Sequence, residues 1–189
     1  MFEDEGELRR RCVKAQRRRE QRRAAAAELT GEAGISAAKE AALSILDRSD
    51  QSVDACRRKL MQRGYRKEVV EPALQRLEEV GVLDDERYAR SLVRGRHQSR
   101  ALVGRALREE LRRKGLSPSV IESAMEAELP EADDTEVLDQ LVERKLVSSR
   151  KLDREAQTRR IVSMLLRRGY SSGQAFAALE RVRSYQEDA

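Results

Sequence analysis

From Ala37 onward, apolar positions recur at helical spacing and are punctuated by glycine. The phrase Leu60-Met61-Gln62-Arg63-Gly64-Tyr65 returns as Leu111-Arg112-Arg113-Lys114-Gly115-Leu116 and again as Leu165-Leu166-Arg167-Arg168-Gly169-Tyr170. The glycines stand 51 and 54 residues apart (64 to 115, 115 to 169). Such a period belongs to supersecondary units repeated in tandem. In each phrase a leucine closes the apolar face of a helix. A basic residue occupies the last turn, where the helix dipole favours positive charge. Glycine then takes the left-handed position past the helix end. Four residues before each leucine lie Cys56, Leu107 and Ile161, one turn back on the same face.

The pattern extends on both sides of each phrase. Val70, Ala73, Leu74 and Leu77 predict a helix after the first glycine. Ile121, Ala124 and Met125 do so after the second, and Ala175, Ala178 and Leu179 after the third. Ser117-Pro118 supplies an N-cap and a first-turn proline, and Ser171 or Ser172 supplies the matching cap. Another helix precedes each phrase, marked by Ala42, Leu43 and Leu46, by Tyr88, Ala89, Leu92 and Val93, and by Leu138, Leu141 and Val142. The fold class expected is therefore all-α, an elongated tandem array of three three-helix units. Their spans are 37–83, 84–130 and 131–186, after a basic N-terminal arm at 1–36 that is flexible or partly helical. Gly31 and Gly34 read as a hinge ending the arm. Pro72 should make its helix begin late or kink, because proline lacks a backbone donor and crowds the carbonyl four residues back.

Composition supports thin cores. Hydrophobic residues make up 39% and charged residues 39%, against roughly 45–50% and 25% in an average globular domain. Trp is absent and Phe and Tyr are few, which disfavours β structure. No apolar run approaches the ~18 residues of a membrane helix, and MFEDEGELRRRC lacks the apolar stretch of a secretory leader. A cytoplasmic, monomeric protein without membrane contact is expected; Cys12 and Cys56 form no disulfide framework, and Cys56 reads as a core residue.

Charge changes the picture further. The net formal charge is +5, unevenly distributed. Between Arg87 and Lys114 stand ten basic residues and two acidic ones, whereas Glu122 to Glu136 holds seven acidic residues and no basic one. Segregation of this kind builds a local potential that recruits an anionic partner. Arg87, Arg90 and Arg94 share the helix face opposite Tyr88, Ala89, Leu92 and Val93, and Arg105, Arg108 and Arg112 form a second stripe. Arg159, Arg160 and Arg167 are the third-unit counterparts. Arg96 falls near the apolar arc and should snorkel at a helix end. No catalytic constellation emerges, so a non-enzymatic protein without cofactor or metal is expected. His97 reads as a solvated loop residue, GxxxxGK[ST] is absent, and Asp84-Asp85-Glu86 is better explained as a helix start than as a cation site. Stacking aromatics for single-stranded nucleic acid are scarce.

Leu83-Asp84-Asp85-Glu86-Arg87-Tyr88-Ala89, continued by Leu92-Val93-Arg94-Gly95-Arg96, resembles the signature of the RecX regulatory proteins, as does Gly104 through Leu116. The resemblance spans about residues 37–184 and leaves the arm outside. It implies three-helix units that bind along the groove of a RecA recombinase filament on DNA. It also implies inhibition of ATP hydrolysis and strand exchange, with the arginines above meeting acidic protein surface or DNA phosphates. A general DNA-binding architectural protein is the alternative.

Overall fold

The computed structural model describes residues 2–129 and 135–187, without the side chains of residues 2–6, 8, 186 and 187. Residues 130–134, within the acidic stretch, lie outside the described residues. The described residues form ten α-helices and no strand: α1 (Phe2–Glu28), α2 (Gly31–Leu46), α3 (Val53–Gln62), α4 (Lys67–Glu79), α5 (Asp85–Arg100), α6 (Gly104–Arg113), α7 (Pro118–Glu128), α8 (Thr135–Ser148), α9 (Arg154–Arg167) and α10 (Ser172–Glu187). The all-α class follows. The chain separates into two compact units, Met1–Tyr88 and Ala89–Ala189, with the division inside α5.

In the first unit, α2, α3 and α4 pack on one another. Ala42, Ile45, Cys56, Leu60, Val70, Leu74 and Leu77 bury their side chains together, joined by Leu83. Burying each such aliphatic side chain contributes about 1.5–3 kcal/mol. In the second unit, Leu107, Leu111, Ile121, Ala124 and Met125 are buried on α6 and α7. Leu138, Val142, Leu146, Ile161, Leu165, Tyr170, Ala175, Ala178, Leu179 and Val182 form the core of α8, α9 and α10, together with Val103.

The three repeated phrases end their helices in one way. Gly64, Gly115 and Gly169 have φ of 102°, 87° and 100°. Each glycine N–H donates to the carbonyl three residues back, and the next residue's N–H reaches five back: Tyr65 to Leu60, Leu116 to Leu111, Tyr170 to Leu165. This is the Schellman pattern. Helix starts are equally local. Ser52, Ser117, Asp153 and Ser171 each accept an N–H of their own helix. Gln174 answers Ser171 by accepting its backbone N–H, completing a capping box.

The structure decides three points. Of the two readings of the arm, it takes the helical one: α1 runs from Phe2 to Glu28. Gly34 is not a hinge: it is buried inside α2, where a Cβ would meet Val69 Cγ1 at 2.8 Å and the Leu29 carbonyl carbon at 2.9 Å. Glycine there lets α4 and the α1–α2 turn approach the α2 backbone. Of the two outcomes expected at Pro72, the late start does not occur: helix α4 begins at Lys67, five residues earlier. Proline in the sixth position forgoes one internal hydrogen bond, and the burial of Val69, Val70, Ala73, Leu74 and Leu77 offsets that loss.

Candidate partner and nucleic-acid interface

The structure sorts the predicted arginines by what each already holds. Arg108 Nε and Nη2 donate to the two Glu122 oxygens at 2.8 and 3.0 Å, tying α6 to α7. Arg57 Nε and Nη2 do the same to Glu71 at 2.9 and 3.2 Å, tying α3 to α4. Each arginine stands seven residues before its capping glycine and each glutamate seven after it. The bidentate fork is therefore a repeat-encoded brace. In the third three-helix unit the two places hold Val162 and Phe176, apolar residues that cannot form the ion pair. The guanidinium of Arg108 holds the Glu122 carboxyl below the usual carboxylate range, and Glu122 raises Arg108 in return.

Arg94 is also engaged, donating to Glu128 at 2.7 Å and tying α5 to α7. The outer helices of the other three-helix units are tied in the same manner. Arg76 donates to Glu32 at 3.0 Å in the first, and Arg181 donates to both oxygens of Asp139 at 2.7 and 3.1 Å in the third. In the middle unit the signs are exchanged: the arginine is on the first helix and the acid on the third. Arg87 turns back toward the carbonyls of Gly81 and Val82 at 3.4 and 3.5 Å.

The remaining predicted residues are freer. Arg90, Arg105 and Arg160 are exposed and form no ion pair among the described residues. Arg112 meets Glu109 only at 3.6 Å, and Arg159 meets Glu155 only at 3.9 Å, both within one helix and open to water. Arg167 donates to Ser163 at 2.7 Å. Exposed pairs of this sort are worth roughly 0–1 kcal/mol and exchange readily for another anion. Arg105 and Arg159 also share one register, ten residues before their glycines.

Other groups fall into structural roles. Arg96 pairs with Glu110 of α6, which Arg100 also approaches at 3.9 Å, so it bridges helices as well as covering the apolar arc. His97 lies half-buried within α5, a correction to its reading as a loop residue. Asp84 caps α5 by accepting the Arg87 N–H at 2.9 Å. Asp85 instead accepts the Val53 N–H at 3.0 Å, at the start of α3. Burial pushes the Asp85 carboxyl above its ordinary range, although the Val53 bond opposes this. No cluster of three or more His, Cys, Asp or Glu suited to a metal occurs among the described residues. No described helix is long and apolar enough to cross a membrane.

The α1 cations belong to a surface that lies outside the predicted arginine stripes. The signal was present in the crowding of arginines between Arg9 and Arg23. The wall opposite them, with Arg48, Lys59 and Arg63, exists only once the helices have packed.

An all-α protein of three-helix units, braced by internal ion pairs and carrying unpaired arginines on its exposed faces, is the class these features define. Family comparison narrows it. The first, second and third three-helix domains of RecX match residues 38–77, 84–125 and 131–179. The chain belongs to the RecX family. The regulatory protein RecX of Streptomyces coelicolor is 39% identical over 122 residues, covering 65% of this chain and 64% of that protein. The Thermobifida fusca protein is 40% identical, with 67% and 65% covered. The match thus spans slightly less than two thirds of these relatives. The Amycolatopsis mediterranei protein is 31% identical, with 84% and 91% covered. The crystal structure of RecX from Lactobacillus salivarius superposes with a TM-score of 0.69 at 19% identity, covering 79% of this chain and 96% of that one, a likeness of fold.

Proposed function

We propose that this chain is a non-enzymatic regulator that binds a RecA–DNA filament and inhibits its ATP hydrolysis and strand exchange. It acts in the cytoplasm, as a monomer and without a cofactor. The observation that carries the reading is the set of exposed arginines without a carboxylate partner, Arg90, Arg105 and Arg160, on units of the RecX family. Arg112, Arg159 and Arg167 join them, because their present partners are weak or neutral. Arg94 and Arg108 contribute indirectly by holding their helices in place, and Arg87 remains near the α4–α5 turn. Acidic protein surface or DNA phosphate satisfies such cations at little cost, since the arginine stays charged and changes only its counter-ion.

The test is ATP hydrolysis by a recombinase filament on single-stranded DNA, with the full chain titrated in. The wild type should inhibit at less than one chain per recombinase subunit. The triple variant Arg90→Glu, Arg105→Glu, Arg112→Glu should need about tenfold more protein for half-inhibition, a loss of ~1.4 kcal/mol. Arg108 is left intact because reversing it would unbrace α6 from α7 and confuse binding with folding. A folded triple variant that inhibits like wild type would refute this placement. A wild-type chain without any effect on hydrolysis would refute the recombinase reading itself.

A further inference from the structure

Helix α1 lies outside the residues matched by the family models. It is anchored at its C-terminal end. Ala26 is buried, and the Arg23 carbonyl and side chain lie directly against Gly64, the capping glycine of α3. The preceding turns overhang α2 and α3 and enclose a cleft of about 1120 Å³. Nine of its lining residues are Lys or Arg and none is Asp or Glu. Lys14, Arg18 and Arg22 stand at i, i+4 and i+8 along α1, while Arg48, Lys59 and Arg63 come from the opposite wall. Among the described residues none of these six forms an ion pair; Lys59 and Arg63 donate only to the neutral oxygens of Gln51 and Ala41.

We infer that this cleft binds the phosphate backbone of nucleic acid, duplex in preference to single strand, without reading sequence. Like charges held on facing walls repel one another, and a polyanion bound between them removes that electrostatic cost. From Arg11 to Arg22 the α1 wall runs roughly 16 Å at 1.5 Å per residue. A duplex of that length carries about ten phosphate charges, which the nine cations nearly match. An acidic protein partner fits less well. Protein interfaces are anchored by buried aromatic and aliphatic side chains, and here the only aromatic lining residue is the half-buried Tyr65. The same scarcity disfavours single strands, which gain affinity by stacking bases on aromatic rings. The site is independent of the recombinase reading and requires no filament.

The experiment is fluorescence anisotropy of labelled 20-base-pair duplex and single-stranded DNA of the same length, titrated with the full chain from low to moderate salt. The wild type should bind duplex more tightly than single strand, and its affinity should fall steeply with salt. Arg18→Glu/Arg22→Glu should lose at least tenfold in affinity and flatten the slope of log K against log salt by about 2. Arg48→Glu, on the other wall, should weaken binding several-fold. Arg150→Glu/Lys151→Glu, which makes the same change in charge at exposed residues outside the cleft, should leave most of the affinity. Far-UV circular dichroism checks folding, and Arg18→Gln/Arg22→Gln serves if the reversal unfolds the unit. Equal losses from the cleft and control reversals, an unaffected Arg48→Glu variant, or tighter binding to single strand would each overturn the proposal. Because no recombinase is present, these outcomes leave the filament reading to its own test.

Discussion

Gly169 shows how much one hydrogen atom in place of a side chain can decide. Its φ is +100°, and a Cβ would press into the Val103 carbonyl, while a Cβ on Gly104 would meet the Gly169 oxygen at 2.9 Å. Val103 N–H donates to the Arg168 carbonyl at 2.9 Å across this close approach. Gly64 receives the Arg23 carbonyl in the same fashion. Gly81, with φ of +69°, has nothing within 4 Å of a Cβ. Gly81→Ala should therefore cost only the left-handed strain, about 1–2 kcal/mol. Gly169→Ala adds overpacking against backbone, roughly 1–3 kcal/mol more. Chemical denaturation of the two variants checks the order, and equal losses would contradict it. The cysteines offer a second check at this scale. Cys56 is fully buried and burial pushes its thiol up to about 11, whereas Cys12 is exposed. A thiol reagent at pH 8 should label one site, Cys12, in the native protein and two after unfolding; two rapid native sites would contradict the packing around Cys56.

At the scale of elements, helix ends carry connections as well as caps. The adjacent acids Asp84 and Asp85 divide the work, the first capping α5 and the second satisfying an N–H at the start of α3. Asp85→Ala should cost about 1 kcal/mol by leaving the Val53 donor unmatched. Asp85→Asn keeps an acceptor and removes a half-buried charge. The sign with pH follows from the raised carboxyl. Its favourable contribution is fully present below the ordinary carboxylate value and is lost as pH rises through the raised one. Asp85→Asn should therefore match or exceed wild type in thermal stability at neutral pH, with the difference shrinking on acidification. Thermal melts between pH 4 and 7 measure this, and an Asn variant as weak as the Ala variant at pH 7 would refute it. The periodicity of apolar residues and the three phrases disclose nearly all of these helices. The braces across helices stay hidden, because Arg57 and Glu71 pair only once two helices are packed.

On the scale of the whole molecule, the repeat supplies a scaffold whose faces can diverge. The fork of Arg57 and Glu71 recurs as Arg108 and Glu122, then gives way to Val162 and Phe176, the latter 48% exposed. The positions around the capping glycine thus carry an ion-pair brace in two of the three repeats and apolar residues in the last. Two surfaces result, one of unpaired arginines on the family's three-helix units and one cleft formed with the added helix α1. The ATP-hydrolysis and DNA-binding experiments address them separately, so either can fail alone.

The sequence by itself determined the helices, their caps and the threefold repeat, because propensity, capping and apolar periodicity act within a few residues. It also marked the family, through motifs contiguous in the chain. Tertiary structure alone decided which arginines are spent. Sequence places Arg90, Arg94, Arg105 and Arg108 alike on polar faces, but only packing brings Glu128 to Arg94 and Glu122 to Arg108. It alone shows that Gly34 is a packing contact and that α1 faces a second basic wall. Ion pairing and close approach depend on distances between residues far apart in sequence, and those distances exist only after the helices have packed.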